Sequence, residues 1–386
     1  MKLGTVQMGM GALVIGACGC GAYGGVTPCI DPLLLSQLDL NANSLGVEVV
    51  GNTAYMSQSG NGLDIVDVTD ALNPVLLGSY EMPFDAIAQV AVDDVNGVAY
   101  LADGNNGLVA VDVGDPVNPF QIGFLPFANC HAVKISGTRA FAAILGEFAM
   151  VDISDPANMS VIGFGVPAAT ASQDVFVVGS VAYVANANQG LWIYDVSTTA
   201  INPALLGSID FGGIAVRVFV EGTTAYVTQI AGPSDHLVAI DVSDPANPFV
   251  LGTFDTPGDA WNVDVVGTTA YVADQFSGLS VVDVSDPTMM SLISNYDTPG
   301  QGFDVVVDGS TAYLAETPGG LMIFDVGNSC LCGADLTNDG NLNFLDVSAF
   351  LAAFGVMDPV ADFNNDGSFN FLDVSAFLAA FGAGCP

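Results

Sequence analysis

The chain has 386 residues, 51% of them hydrophobic, and sets 41 carboxylates against four basic side chains, Lys2, Lys134, Arg139 and Arg217, for a formal net charge of −37. That apolar content in that length builds a large core and excludes a disordered acidic tail. The charge excludes nucleic acid and anionic membrane surfaces as partners, leaves cations as counter-species, and also serves solubility in a saline setting.

Residues 1–25, MKLGTVQMGMGALVIGACGCGAYGG, carry one basic residue, a short apolar run and then small residues. They resemble an export signal peptide, so the mature protein is expected to be secreted or at the cell surface. Ile15-Gly16-Ala17-Cys18 resembles a lipoprotein box with a lipid anchor at Cys18, whereas Cys20-Gly21-Ala22 suits ordinary signal peptidase; both routes stay open. No later run is long and apolar enough for a membrane helix.

Internal repeats organise the rest of the chain. The doublet Ala-Tyr, once Ala-Phe, recurs at Tyr55, Tyr100, Phe141, Tyr183, Tyr226, Tyr271 and Tyr313. The fullest copy, WNVDVVGTTAYVADQFSGLSVVDVSDPTMMSLISNYDTPG from Trp261, reads as four strands separated by two Gly turns and an Asp-Pro turn. Seven such units predict an all-β, seven-bladed β-propeller over residues 29–330.

A β-solenoid would share the period but not the chain ends. The seventh copy, FDVVVDGSTAYLAETPGGLMIFDVGNSC, stops after its third strand, and DPLLLSQLDL at residues 31–40 matches the fourth strands NPVLLGSYEM and NPALLGSIDF. The first strand is therefore expected to close the last blade and leave no free sheet edge. Closure aligns Cys330 with Leu72 and Cys29 with Ala71, which predicts a Cys29–Cys330 disulfide in an exported chain.

Asp67, Asp112, Asp152, Asp195, Asp241, Asp283 and Asp325 recur once per unit, and a second Asp precedes Pro in four copies. An Asp side chain capping a turn, followed by Pro fixing the backbone, accounts for this pattern without a metal or catalytic role. Units of the form DVVVxGxxAYVAxxxxGLxVVDVSDPxxPxxLGxxDTPG resemble the LVIVD-repeat propellers from about Asp31 to Val326. The resemblance implies an extracellular repeat protein with no shared catalytic apparatus.

Near the C-terminus, DLTNDGNLNFLD at 335–346 returns as DFNNDGSFNFLD at 362–373. Both fit a twelve-residue calcium loop with ligands at positions 1, 3, 5, 7 (by its carbonyl), 9 and 12, and Gly at 6. The first offers Asp335, Thr337, Asp339, Asn341, Asn343 and Asp346; the second offers Asp362, Asn364, Asp366, Ser368, Asn370 and Asp373. Hard oxygen donors of this kind select two Ca2+ ions.

Each loop leads into a helix with an apolar face, Phe344, Val347, Phe350, Leu351 and Phe354 in the first and Phe371, Val374, Phe377, Leu378 and Phe381 in the second. Paired loop-helix units with Asp at position 12, spanning residues 331–386, resemble an EF-hand-like dockerin of the Gly-Cys-ended type. Thr337 departs from that pattern, where Asn or Asp is usual. The resemblance implies a cohesin-like partner, with Phe344-Leu345 and Phe371-Leu372 as either contact residues or part of the core. Cys332 and Cys385 bracket the unit and suit a second disulfide.

A propeller site is expected at the mouth of the channel. Five residues before the hairpin Gly stand Gly46, Ala132, Asp174, Arg217, Asn262 and Asp304, with Gln89 as the equivalent in the second copy; they are mixed and mostly polar, and each is followed by Val. Beside them lie Cys130-His131 and Trp261, so the candidate ligand site comprises Gln89, His131, Asp174, Arg217, Trp261, Asn262 and Asp304. Adjacent strand residues point to opposite faces, so Cys130 and His131 do not form a nucleophile pair.

Three functions are open: an exported propeller that binds a protein or glycan and is tethered through its dockerin; a dockerin-bearing polysaccharide hydrolase or lyase using carboxylates such as Asp174 and Asp304; and a purely structural surface component. The expectation is the first, calcium-dependent anchoring with the propeller as binding element and no catalytic residue assigned.

Overall fold

The computed structural model describes residues 32–40, 42–82, 89–165, 171–197, 202–230, 235–327, 334, 336–337, 343–363 and 368–383. The expected signal peptide with Cys18, the disulfide candidates Cys29, Cys330, Cys332 and Cys385, and the loop positions Asp335, Asp339, Asn341, Asn364 and Asp366 lie outside the described residues.

Seven four-stranded antiparallel sheets are formed among the described residues. The inner strands are Asn43–Val50, Gln89–Asp93, Ala132–Ser136, Asp174–Val178, Ile214–Glu221, Asn262–Val266 and Gln301–Asp308, and they define blades 1 to 7 in chain order. Six blades run outward in chain order. The seventh takes Gln301–Asp308, Thr311–Thr317 and Gly320–Asp325, and its outer strand is Leu33–Leu38, paired from Leu33 opposite Asp325 to Leu38 opposite Leu321. The ring is thus closed by the first strand, as its likeness to the other fourth strands requires.

The recurrent aromatics hold the blades together. Tyr55, Tyr100, Phe141, Tyr183, Tyr226, Tyr271 and Tyr313 sit in second strands and are buried, within apolar clusters shared by adjacent blades. Each large apolar side chain withdrawn from water in this way contributes roughly 2 kcal/mol. Because both faces of a blade pack on neighbours, second and third strands read as continuous apolar runs such as Ala54-Tyr55-Met56.

The Asp-Pro turns dock on the outer strand of the preceding blade, which explains why LG and DP recur together. A Cβ at Gly78 would lie 2.5 Å from the Pro116 carbonyl oxygen, and one at Gly123 would overlap that of Pro156; Gly207 and Gly252 meet Pro245 and Pro287 likewise. At the closing junction Ser36 takes the glycine's place, and its hydroxyl donates to the Ala71 carbonyl at 2.6 Å. Every first Asp of the repeat accepts the amide two residues on, from Thr69 to Asp67 through to Gly327 to Asp325. These are turn caps, in line with the reading from sequence.

After the propeller, α1 (Phe344–Gly355) and α2 (Phe371–Ala383) pack through Phe350 and Phe377, stacked at 4.1 Å with ring planes 6° apart. Phe363 meets both rings edge-on, and Val347, Phe354, Val374 and Phe381 pack against this small core. The expected helix faces are narrower than drawn from sequence. Phe344 and Leu351, with Phe371 and Leu378, are exposed, because a 3.6-residue repeat carries positions 344 and 351 to the edge of the stripe centred on Phe350.

Candidate functional site

Each inner strand is hydrogen-bonded on one side only, so its other edge presents backbone amides to the channel. Carboxylates from the preceding blade satisfy three of them. Val218 N–H donates to Asp174 Oδ2 at 3.0 Å, Val307 N–H to Asp264 Oδ2 at 2.7 Å, and Val47 N–H to Asp304 Oδ2 at 2.9 Å, the last joining blade 7 to blade 1. The Asn262 amide donates to the other oxygen of Asp304.

The channel opens into a cavity of about 170 Å³ lined by Gln89, Asp174, Asn262 and Asp304 of the expected ring. Glu48, Lys134 and Asp264 line it too, with Phe176 and Phe219, whose rings are 4.8 Å apart. Sequence reasoning missed Glu48, Lys134 and Asp264. They stand two residues beyond the ring positions of their strands, so the period of two that places both sets on one face was the available signal. Lys134 Nζ reaches Glu48 Oε2 across the channel at 3.8 Å.

The other expected residues are not among those lining this cavity. Arg217 is buried and turned onto backbone, with Nη1 donating to the Gln173 carbonyl at 3.1 Å. Trp261 and His131 lie one residue before the ring positions of their blades. Trp261 packs edge-on against Phe303 at 5.5 Å, and its carbonyl accepts from Thr228 Oγ1 at 2.9 Å. Also unforeseen are Asp274 and Glu316 at the ends of second strands; they accept Gly258 N–H at 2.9 Å and Gly300 N–H at 2.6 Å and so fix the Thr-Pro-Gly loops entering blades 6 and 7.

Burial dominates the electrostatics. It pushes the Asp304 carboxyl up to about 7, against the Val47 amide and the pull of Lys134 and Arg217. Asp174 and Asp264 are raised for the same reason. For Lys134 burial works downward, but Glu48, Asp174, Asp304 and Asp264 outweigh it and hold the ammonium above its ordinary range. Burial and the Arg217 charge lower His131. Cys130 is fully buried with its thiol pushed up to about 12, first by burial and then by Asp103, so it offers no thiolate.

In the helical pair, position 12 of each loop turns inward. Asp346 is fully buried; its Oδ2 accepts Asn343 N–H at 2.9 Å, and its Oδ1 accepts from Thr337 N and Oγ1 at 3.0 and 2.8 Å. Asp373 is equally buried and accepts Asn370 N–H at 2.8 Å. Asn343 and Asn370 in turn accept the amides of Leu345 and Leu372, both at 2.8 Å, so positions 9 and 12 also cap the helix starts. Phe344 and Phe371 are 79% and 78% exposed, and Leu345 and Leu372 both 58%, which places the four residues outside the core and in matching environments. Asp362 and Ser368, positions 1 and 7 of the second loop, are among the described residues.

Among solved structures the chain is similar to the WD40 β-propeller domain of Doa1, at 10% identity and a TM-score of 0.61 over 77% of this chain and 97% of that one. It is also similar to the computationally designed Ika8 protein, at 8% identity and a TM-score of 0.57 over 77% of this chain and 100% of that one. At such identities these likenesses bear on the fold alone. No curated protein matches the chain. The LVIVD repeat matches residues 43–82, 95–124, 129–164, 169–210, 212–256, 257–298 and 299–330, one segment per blade, the last ending after its third strand. The chain belongs to the LVIVD-repeat family.

Proposed function

We propose that the protein is an exported, calcium-binding β-propeller tethered by a dockerin-like helical pair to a cohesin-like module of a cell-surface assembly. In this reading the propeller binds a protein or glycan and does not cleave it. The observation that carries the reading is the contact between positions 3 and 12 of the first loop, Thr337 Oγ1 and Asp346 Oδ1 at 2.8 Å, with Asp373 buried in the same way in the second. Two positions that must share one ion are already adjacent, and the donors are hard oxygens.

Asp335, Thr337, Asp339, the Asn341 carbonyl, Asn343 and Asp346 would hold one calcium; Asp362, Asn364, Asp366, the Ser368 carbonyl, Asn370 and Asp373 would hold the second. Bound calcium would neutralise the loop carboxylates and tie each loop to its helix, coupling metal binding to folding of a unit with a small core. The exposed pairs Phe344-Leu345 and Phe371-Leu372 then form the surface offered to the cohesin-like partner.

The polysaccharide-cleaving alternative needs two carboxylates free to act on substrate. Asp174 and Asp304 each commit one oxygen to a backbone amide of the next blade, which favours a role in holding the ring. The test is retention of the full-length protein on immobilised cohesin modules with calcium and with chelator. Retention lost on chelation and in the Asp346→Ala/Asp373→Ala variant supports the proposal, and calcium-independent retention or none on any cohesin overturns it.

A further inference from the structure

We infer that the central channel of the propeller is a binding site for a protonated primary amine. The inference is independent of the calcium loops. Two acceptors that line the cavity have no partner among the described residues, Asp174 Oδ1 and Gln89 Oε1, on residues only 3% and 5% exposed. A buried acceptor left unpaired costs about 1–3 kcal/mol, so a donor belongs opposite each. The cavity's 170 Å³ compares with the roughly 10–15 Å³ that one water requires, which leaves room for a small organic ligand.

The charge around the space selects a cation. Glu48, Asp174, Asp264 and Asp304 line the space with Lys134 as the one basic lining residue among the described residues, and Arg217, which acts on Asp174 and Asp304 from outside the lining, is turned onto the Gln173 carbonyl. The arrangement does not suit a bare metal ion. Three of the four carboxylates spend an oxygen on a backbone amide, and among the described residues no three His, Cys, Asp or Glu side chains form a metal-holding group. An ammonium asks for single acceptors at hydrogen-bond range, not a chelating set. The Lys134 ammonium, 3.8 Å from Glu48, already forms an ion pair in the same space. The Phe176 and Phe219 rings supply an apolar, cation-tolerant wall for the carbon skeleton.

The same ammonium could come from a free alkylamine or from an amino sugar. The experiment is calorimetric titration of the full chain, in calcium-saturated buffer so that the C-terminal loops stay constant, with 1,4-diaminobutane, n-butylamine, glucosamine and tetramethylammonium. Binding of at least one primary amine, with none for tetramethylammonium, which lacks N–H donors, is the expected result, and the preferred probe identifies the source. Gln89→Leu should weaken that binding at least tenfold. Lys134→Met, which removes the resident ammonium, should tighten it. Absence of binding by every amine to the wild-type protein, or equal binding of tetramethylammonium, overturns the inference whether or not the variants fold.

Discussion

Asp304 on the last blade accepts a hydrogen bond from the Val47 amide on the first at 2.9 Å, so the ring is joined at its inner edge as well as at its outer one, where Ser36 meets the Ala71 carbonyl. The same carboxylate borders the channel cavity. Closure and candidate binding site therefore share a residue.

Burial raises the Asp304 carboxyl from an ordinary 3.8 to about 7. The folded protein keeps a proton there that the unfolded chain releases, so the stabilisation is complete below the unfolded value and is lost as pH rises through the folded one. The shift amounts to on the order of 4 kcal/mol. Asp304→Asn stays neutral throughout, so urea unfolding should show the variant gaining on wild type between pH 4 and pH 7. A stability gap that does not change with pH would contradict this.

Gly123→Ala should destabilise by about 1–3 kcal/mol, because the added methyl overlaps the Pro156 carbonyl of the next blade and two backbones would have to part. Gly137→Ala, at φ +58° in an open hairpin, meets nothing and should cost about 1 kcal/mol for its left-handed conformation. Comparing urea midpoints of the two variants checks the packing argument, which fails if Gly123→Ala is the milder.

Tyr100 is fully buried and its hydroxyl has no partner among the described residues. Blade 3 carries Phe141 at the equivalent place. Tyr100→Phe should therefore leave stability unchanged or raise it by up to about 1 kcal/mol. A loss above 1 kcal/mol on thermal or urea unfolding would show that the hydroxyl is paired.

With its thiol near 12, Cys130 is about one part in ten thousand thiolate at pH 8. Native protein treated with iodoacetamide at that pH should yield an unmodified Cys130 peptide, and alkylation should follow only on unfolding. Modification of the folded protein within minutes would refute the burial-controlled account.

Closure was legible because Leu33–Leu38 keeps the outer-strand pattern of LLLSQL against VLLGSY. The turn role of the repeated Asp was legible for a similar reason, since Asx capping is local and needs no neighbour. Channel membership was read one position deep. Gln89, Asp174, Asn262 and Asp304 followed from aligning the repeats, whereas Glu48, Lys134 and Asp264 required stepping two residues along strands whose sequences there vary from Ala91 to Phe219. Asp274 and Glu316 were hidden because their partners, Gly258 and Gly300, come from loops 16 residues earlier. The side of the helices left open at Phe344 and Phe371 depends on how two copies pack on each other, which one copy's periodicity does not encode.

The central claim, calcium binding by the duplicated loops, is tested most directly by calorimetric titration of calcium into the full-length protein and into the Asp346→Asn/Asp373→Asn variant, with circular dichroism on the same samples. The account predicts two sites per wild-type chain, a gain of helical signal on filling them, and loss of both in the variant. No calcium-dependent heat in the wild type, or the same two sites in the variant, would contradict it.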